Sequence, residues 1–572
     1  MITSGRDATI RTSSAVTIPS LLGLAVIVFV VLFWRLGAPS FWDPDEAHYA
    51  ETTRELLTTG DRLAPYYNEQ PFFDKPVLFH WLQAIPMALV GPNELGARLT
   101  PALAALALLG VTAWFGVRLA SREAALIAAL LLATSPAVFA LARYAILDTV
   151  FTVFLFGGAA LVSMAALQAR PRLQWFGYIA IALAVLTKGP LALVLCGLAL
   201  ALTVLLSADS RARFFKLRFV SAVTIVLAIA GPWFVVMTLR FGDAFVNGYL
   251  LDENIRLYAT NRFTATDSSS VWFYFRVLGA GLLPWTALIA GRLYDDVLAA
   301  LRRDGTLDQI DVLLWSWTIA IVIFFTFSKF KLDHYVFPVA PALCLLCARA
   351  WIALREHPAD RRHTGARIGR LCIGPLLVVM AAAGAYMLIG LLALPSTALV
   401  VPAVVGAAGI ATIVSVSMNG KRSRPQAVPW VIVGALTVIY AGVVVWVLPA
   451  LEQRKVVPDV ARWVSARAGD GDLVATYRLN RWNTAFRFYV ARHVAMIDAP
   501  EDARALFNGP EPFYCTMLGS AYEDFRAQGA PLRVVYEREG MWATSGRALW
   551  RREVPLTRFV VVTRSDSGVT TK

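Results

Sequence analysis

Asp45, in the run Phe41-Trp42-Asp43-Pro44-Asp45-Glu46, is the carboxylate of this chain best placed to do chemistry. The pattern Asp43-Pro44-Asp45-Glu46 followed by AHYAETTRELLTTG predicts a helix, with Asp43 as N-cap, Pro44 at the first helical position and Glu46 closing a capping box. Tyr49, Thr53, Leu56 and Leu57 then share a face, and Gly60 ends the helix. This scheme occupies Asp43 and Glu46 but leaves Asp45 over, in a first turn whose dipole favours the ionised acid. Pro76 steers Asp74-Lys75 toward an extended or turn conformation. Lys75 then offers a point charge to a phosphate, or a salt bridge to Asp74. Asp148 opens the apolar run TVFTVFLFGGAALV, where an acid reads either as a helix cap or as a functional group. Lys188, between two short apolar runs, is a candidate on the same ground. Further cations stand at Arg256, Arg262, Lys329 and Lys331, with the hydroxyl of Tyr335 beside the last two. His48, His80 and His334, with Asp74 or Glu94, share no tight ligand spacing on one element. No cofactor is therefore expected to be required, a divalent metal being the alternative.

The elements that must hold these groups are membrane helices. The chain has 572 residues, 58% hydrophobic and 16% charged, with a mean hydropathy of +0.59, the composition of a polytopic membrane protein. About thirteen apolar runs are long enough to span, near 18–36, 97–117, 123–141, 148–168, 173–187, 189–207, 218–238, 272–292, 309–328, 335–354, 371–393, 397–417 and 428–449. The first is read as a retained helix, because no small-residue cleavage pattern follows it. The net charge of +14 concentrates in short alternate connections, such as Arg211/Arg213/Lys216/Arg218 and Arg355/Arg361/Arg362/Arg367/Arg370. The positive-inside rule makes that side cytoplasmic, with the N-terminus. Topology thus accounts for the charge, and no nucleic-acid partner is expected.

The segment 37–96, the loop 239–271 and everything after about 450 then lie outside, on the non-cytoplasmic side. Between Leu36 and Arg98, neither counted, the chain carries nine Asp/Glu against three Lys/Arg, the mark of a site handling charged or hydroxylated material at the bilayer surface. The expected organisation is a membrane catalytic domain over 1–450, with amphipathic helices in its outer loop, and a soluble α/β domain over 451–572. In that domain β-rich runs fall at 473–477, 494–497, 513–518, 532–536, 548–551 and 558–562, with helical patterns at 457–468, 487–492 and 501–507. The domain carries no motif tied to chemistry and reads as a cap on the membrane part. The five cysteines suggest no disulfide framework.

The stretches DEAHYAE (45–51), Arg54-Glu55, Gly60-Asp61, FDKPVLFHW (73–81), Arg143 to Asp148, Thr187-Lys188-Gly189-Pro190 and Lys329 to Tyr335 together resemble the integral-membrane C-type (GT-C) glycosyltransferases that use polyprenyl-phosphate sugars. Within them the chain is most similar to the 4-amino-4-deoxy-L-arabinose lipid A transferase family, relatives of the protein O-mannosyltransferases. At position 48 that family usually has Arg, and here it is His48.

The resemblance implies transfer of the aminopentose from undecaprenyl phosphate to lipid A phosphates at the periplasmic face, which confers polymyxin resistance. It implies Asp45 and Asp148 as catalytic carboxylates, and Lys75, Arg256, Arg262, Lys331 and Tyr335 around the donor phosphate. Glu46, His48, Tyr49, Tyr66 and Lys188 would line the substrate cavity. The implied partners are the undecaprenyl-phosphate sugar, lipid A and the bilayer. The alternatives are a sister glycosyltransferase acting on protein, glycan or another envelope lipid, and a lipid transporter or flippase. A transporter would favour gating pairs and repeated halves, and neither is visible.

Overall fold

The computed structural model describes residues 18–259, 270–302, 307–418, 428–479, 484–540 and 556–565. Among these, seven helices are long and apolar enough to cross a membrane: Glu94–Leu119, Asp148–Leu167, Gln309–Phe327, Asp333–Glu356, Arg361–Leu391, Ser396–Ser415 and Trp430–Glu452. Two more spans are bent pairs, Arg122–Ala133 with Pro136–Ala142 at 64° and Phe219–Ile229 with Gly231–Phe241 at 43°. Each bend has a proline at the start of its second helix, Pro136 and Pro232, where the missing N–H interrupts the hydrogen-bond ladder. Shorter apolar helices Ile18–Phe33, Leu173–Lys188 and Leu191–Leu206 complete the match to the expected runs, save one.

The exception is the run near 272–292, which divides into Phe273–Gly281 and Thr286–Arg302 on either side of Pro284. The second helix is amphipathic and buries Arg292, Asp295 and Asp296. Arg292 bridges Asp296 at 2.6 Å and Asp311 at 2.7 Å, while Asp295 accepts the backbone N–H groups of Gly365 and Ala366. Those partners repay burial of the charges. An apolar window cannot distinguish such a helix from a span when its polar partners come from elsewhere in the chain.

The connections gather at two ends of the bundle. At one, Arg355 binds Glu123, Arg213 donates to the carbonyl of Leu167 and Gln309 donates to Asp209. At the other lies the acidic insert, whose helix Asp45–Thr59 is followed by a short hairpin, β1 (Tyr66–Tyr67) and β2 (Gln70–Pro71), and by helix Leu78–Val90. Gly60 closes the first of these with φ +73°, the left-handed conformation expected of it. The capping box does not form. Pro44 takes the N-cap position without a side-chain bond, and Glu46 accepts instead from the N–H of Trp42 at 2.9 Å. Leu57 is exposed, whereas Thr53 and Leu56 are buried.

After helix Val457–Ser465 the chain builds a five-stranded sheet from β3 (Leu473–Tyr477), β4 (Ala495–Ile497), β5 (Phe513–Leu518), β6 (Leu532–Gly540) and β7 (Thr557–Arg564). Its order is β4-β3-β5-β7-β6, with β4, β3 and β5 parallel and β7 antiparallel to both its neighbours. Helices Thr484–Val490, Pro500–Asn508 and Gly519–Ala527 cover it. The run expected at 548–551 lies outside the described residues, and the last of these helices is additional to those expected.

This sheet unit is bonded to the acidic insert. Asp43 accepts from the Thr484 hydroxyl at 2.9 Å and from the Ala485 N–H at 2.7 Å. Arg487 reaches Glu51 at 3.1 Å and Glu55 at 3.3 Å. The rings of Phe41 and Phe488 meet edge to face at 4.8 Å. Phe41, Ala47, Ala50 and Ala97 share one apolar cluster with Phe486, Phe488 and Val490, so one face of the sheet unit and the insert form a common core.

Candidate active site

Asp45 is the first residue of its helix and is half-buried. Burial raises its carboxyl above the ordinary range; His334 and Lys75 pull it back down, while Asp74 and Asp148 push it further up. Asp45 therefore lies within electrostatic reach of groups drawn from the insert, from the start of helix Asp148–Leu167 and from the segment before helix Ala340–Glu356.

Asp148 is buried, and its two oxygens have separate partners. One accepts from Lys188 Nζ at 2.5 Å, and the other lies 3.6 Å from His334 Nε2. The Lys188 ammonium also sits 4.7 Å from the Tyr335 ring centroid and 5.3 Å from that of Phe151. Gly189, next in the chain, lets Tyr249 pack against the backbone beside Lys188. Its φ is +86°, and a Cβ there would lie 2.1 Å from the Tyr249 hydroxyl oxygen.

Lys75 donates to Asp74 at 2.9 Å and reaches Glu253 at 3.4 Å. Burial alone would neutralise it, yet the two acids raise its pKa and keep it an ammonium. Burial likewise works against ionised Asp74, but Lys75 and the hydrogen bond with Glu253 prevail and hold its carboxyl well below the usual range.

Asp74, Lys75, Lys188, Glu253 and Tyr335 border a cavity of about 260 Å³. Its lining also includes Leu191, Val194, Leu257, Phe324 and Phe325, several of them on membrane helices. A cavity that offers both charged and apolar side chains suits a phosphate carried on a hydrocarbon chain.

The remaining sequence candidates fall outside this arrangement. Glu46 is fully buried in a two-pronged pair with Arg98 at 2.6 and 2.8 Å and also accepts from the N–H of Ala145 at 3.0 Å, so it fastens helices rather than facing substrate. His48 packs between Tyr67 and Phe72, each ring centroid 4.3 Å away, and burial pushes its pKa down to about 4, leaving it neutral. Tyr66 accepts from Arg240 at 3.1 Å, and Arg240 also pairs with Asp61. Arg256 is exposed and bridges Asp252 at 2.6 Å, and Lys331 is buried with its ammonium on the Ser328 carbonyl. Tyr49 stays close, stacked on His80 and within the field of Asp74, Asp148 and Asp45. Arg262 lies outside the described residues. Among those residues no group of three His, Cys, Asp or Glu converges to hold a metal. Glu253 and His334, which the sequence marked only as part of a charged loop and as a metal candidate, join the site through Lys75 and Asp148.

The chain matches the family model "Dolichyl-phosphate-mannose-protein mannosyltransferase" over residues 22–241. It is 30% identical over 338 residues to the "Undecaprenyl phosphate-alpha-4-amino-4-deoxy-L-arabinose arabinosyl transferase" of Pectobacterium carotovorum, an alignment covering 57% of this chain and 58% of that protein. The enzyme of the same name from Enterobacter sp. is 28% identical, over 63% of this chain and 64% of its own length. The chain thus spans less than two thirds of these relatives. Its fold matches the crystal structure of ArnT from Cupriavidus metallidurans bound to undecaprenyl phosphate with a TM-score of 0.75 and 22% identity, over 96% of this chain and 99% of the other. The apo form of that protein matches with a TM-score of 0.71. The chain thus carries the mannosyltransferase-family pattern over residues 22–241, and along nearly its whole length it has the fold of the ArnT crystal structure.

Proposed function

We propose that this chain transfers 4-amino-4-deoxy-L-arabinose from undecaprenyl phosphate to phosphate groups of lipid A, at the periplasmic face of the bacterial inner membrane. The observation that carries the reading is the cavity lined by Lys75, Lys188 and Tyr335 together with Leu191, Val194 and Phe324, with Asp45 in the field of Lys75. The names of the relatives supply the sugar and the carrier.

The chemistry follows from the charges. An oxygen of the acceptor phosphate attacks the anomeric carbon as the bond to the donor phosphate breaks, and undecaprenyl phosphate leaves as an anion. That leaving group needs cations and a hydroxyl donor already in place, which Lys75, Lys188 and Tyr335 supply without reorganisation. Positive charge that builds at the anomeric carbon is met by the carboxyl of Asp45. Asp148 fixes Lys188 and His334, one on each of its oxygens. Attack from the face away from the leaving phosphate inverts the anomeric centre.

A second reading is favoured by the mannosyltransferase family match: a hydroxyl acceptor on a protein or glycan. There Asp45 would take the hydroxyl proton, a task suited to a carboxyl raised by burial. Mass spectrometry of lipid A from cells with and without the chain separates the two. The primary reading requires one added aminopentose that disappears on deletion. Unchanged lipid A alongside a newly glycosylated protein would establish the second.

A further inference from the structure

A second cavity, of about 370 Å³, lies away from the catalytic cluster, where the first and last membrane helices end and the sheet unit begins. Arg35 and Pro39 line it just beyond helix Ile18–Phe33, Leu448 and Glu452 close the last span, and Arg462 and Arg538 project from the sheet unit. Two of the three arginines already have acidic partners. Arg538 lies 2.8 Å from Asp459 and Arg462 lies 3.3 Å from Glu94, both in exposed geometry that an incoming anion can compete with. Arg35 is exposed and has no acidic partner among the described residues. Its charge stands at the end of a span, on the side that also bears the acidic insert, where a basic residue is unusual.

We infer that this cavity binds the phosphate of an anionic lipid headgroup, with Arg35 as the principal contact and Arg538 as the second. Arginine suits the task because its planar fork of donors matches phosphate oxygens. The position is at headgroup depth, since two membrane helices terminate there, and Val444 and Leu448 offer an apolar wall for the start of an acyl chain. The two acids in the lining are both paired, Glu452 with Lys455 at 3.3 Å and the Ser40 N–H at 3.1 Å, and Asp459 with Arg538 at 2.8 Å, which leaves Arg35 as the cation without an acidic partner among the described residues. This site is separate from the donor cavity and does not depend on which acceptor the enzyme uses.

The test is native mass spectrometry of the full chain released from phosphatidylcholine nanodiscs containing graded phosphatidylglycerol. The native chain is expected to retain one phosphatidylglycerol that Arg35→Gln retains at least about tenfold more weakly, the loss of one charge-assisted contact. Arg35→Gln removes no side-chain hydrogen bond or ion pair among the described residues, and a thermal scan checks that its fold is native, while Arg538→Gln should weaken retention in the same direction. Equal retention by the native chain and both variants would overturn the inference. Displacement of the lipid by millimolar inorganic phosphate would also overturn it, since the site would then be one for a soluble anion.

Discussion

Neighbouring residues Asp45 and Glu46 should fail in opposite ways, and Glu46→Gln is the sharper probe. Glu46 is 0% exposed and binds Arg98 through both oxygens, and it also accepts the N–H groups of Trp42 and Ala145. Removing one partner of a buried ion pair costs roughly 3–5 kcal/mol, because the other charge stays buried without compensation. Here Arg98 keeps the carbonyls of Leu36, Pro39 and Ser40, but Trp42 and Ala145 bond different oxygens of Glu46, so the glutamine oxygen can accept only one of the two N–H groups. The expectation is therefore a loss within that range, about 3–5 kcal/mol, or at least about a hundredfold in the folded-to-unfolded ratio. Titration with SDS in mixed micelles, followed by tryptophan fluorescence, reads that loss directly. Turnover per folded molecule should remain close to native, because Glu46 faces helices and not the cavity. A Glu46→Gln protein that unfolds like the native one yet transfers no sugar would refute the reasoning and return Glu46 to the substrate site.

Burial pushes the Asp43 carboxyl up to about 7, whereas in the unfolded chain it titrates near its ordinary 3.8. The native state thus holds the proton over that interval, so the contribution of Asp43 to stability is complete below about 4 and is lost as pH rises through about 7. The contact between the insert and the sheet unit should melt at lower temperature at pH 8 than at pH 6, and Asp43→Asn should flatten that dependence in a thermal scan. Gly189→Ala would place a methyl 2.1 Å from the Tyr249 hydroxyl in a left-handed backbone, displacing Lys188. A raised KM for the lipid-linked donor, measured with the purified chain, checks it.

Much of this molecule was legible in its sequence because membrane helices declare themselves by composition and length. The insert helix was equally plain, from Asp45 to Gly60, and so were the strands at 473–477 and 513–518. Local spacing failed where partners come from far along the chain. The capping box looked complete, yet Glu46 is claimed by Arg98, fifty-two residues away, and Asp43 by Thr484 and Ala485 in the sheet unit. The same holds for the cations. Nothing local distinguished Lys75, which meets Glu253 in the cavity, from Arg256, whose i,i−4 partner Asp252 keeps it at the surface. Asp148 and Lys188 each drew notice as ionisable groups in apolar surroundings, and the structure explains their tolerance by pairing them.

The central claim is that Asp45, in the field of Lys75 and His334, acts on the sugar as its bond to the donor phosphate breaks. The most direct test is a transfer assay with purified Asp45→Asn, undecaprenyl-phosphate aminoarabinose and lipid A, with product detected by mass. A protein that folds like the native chain, still binds the donor and forms no product is the predicted result; turnover near that of the native chain would contradict the account.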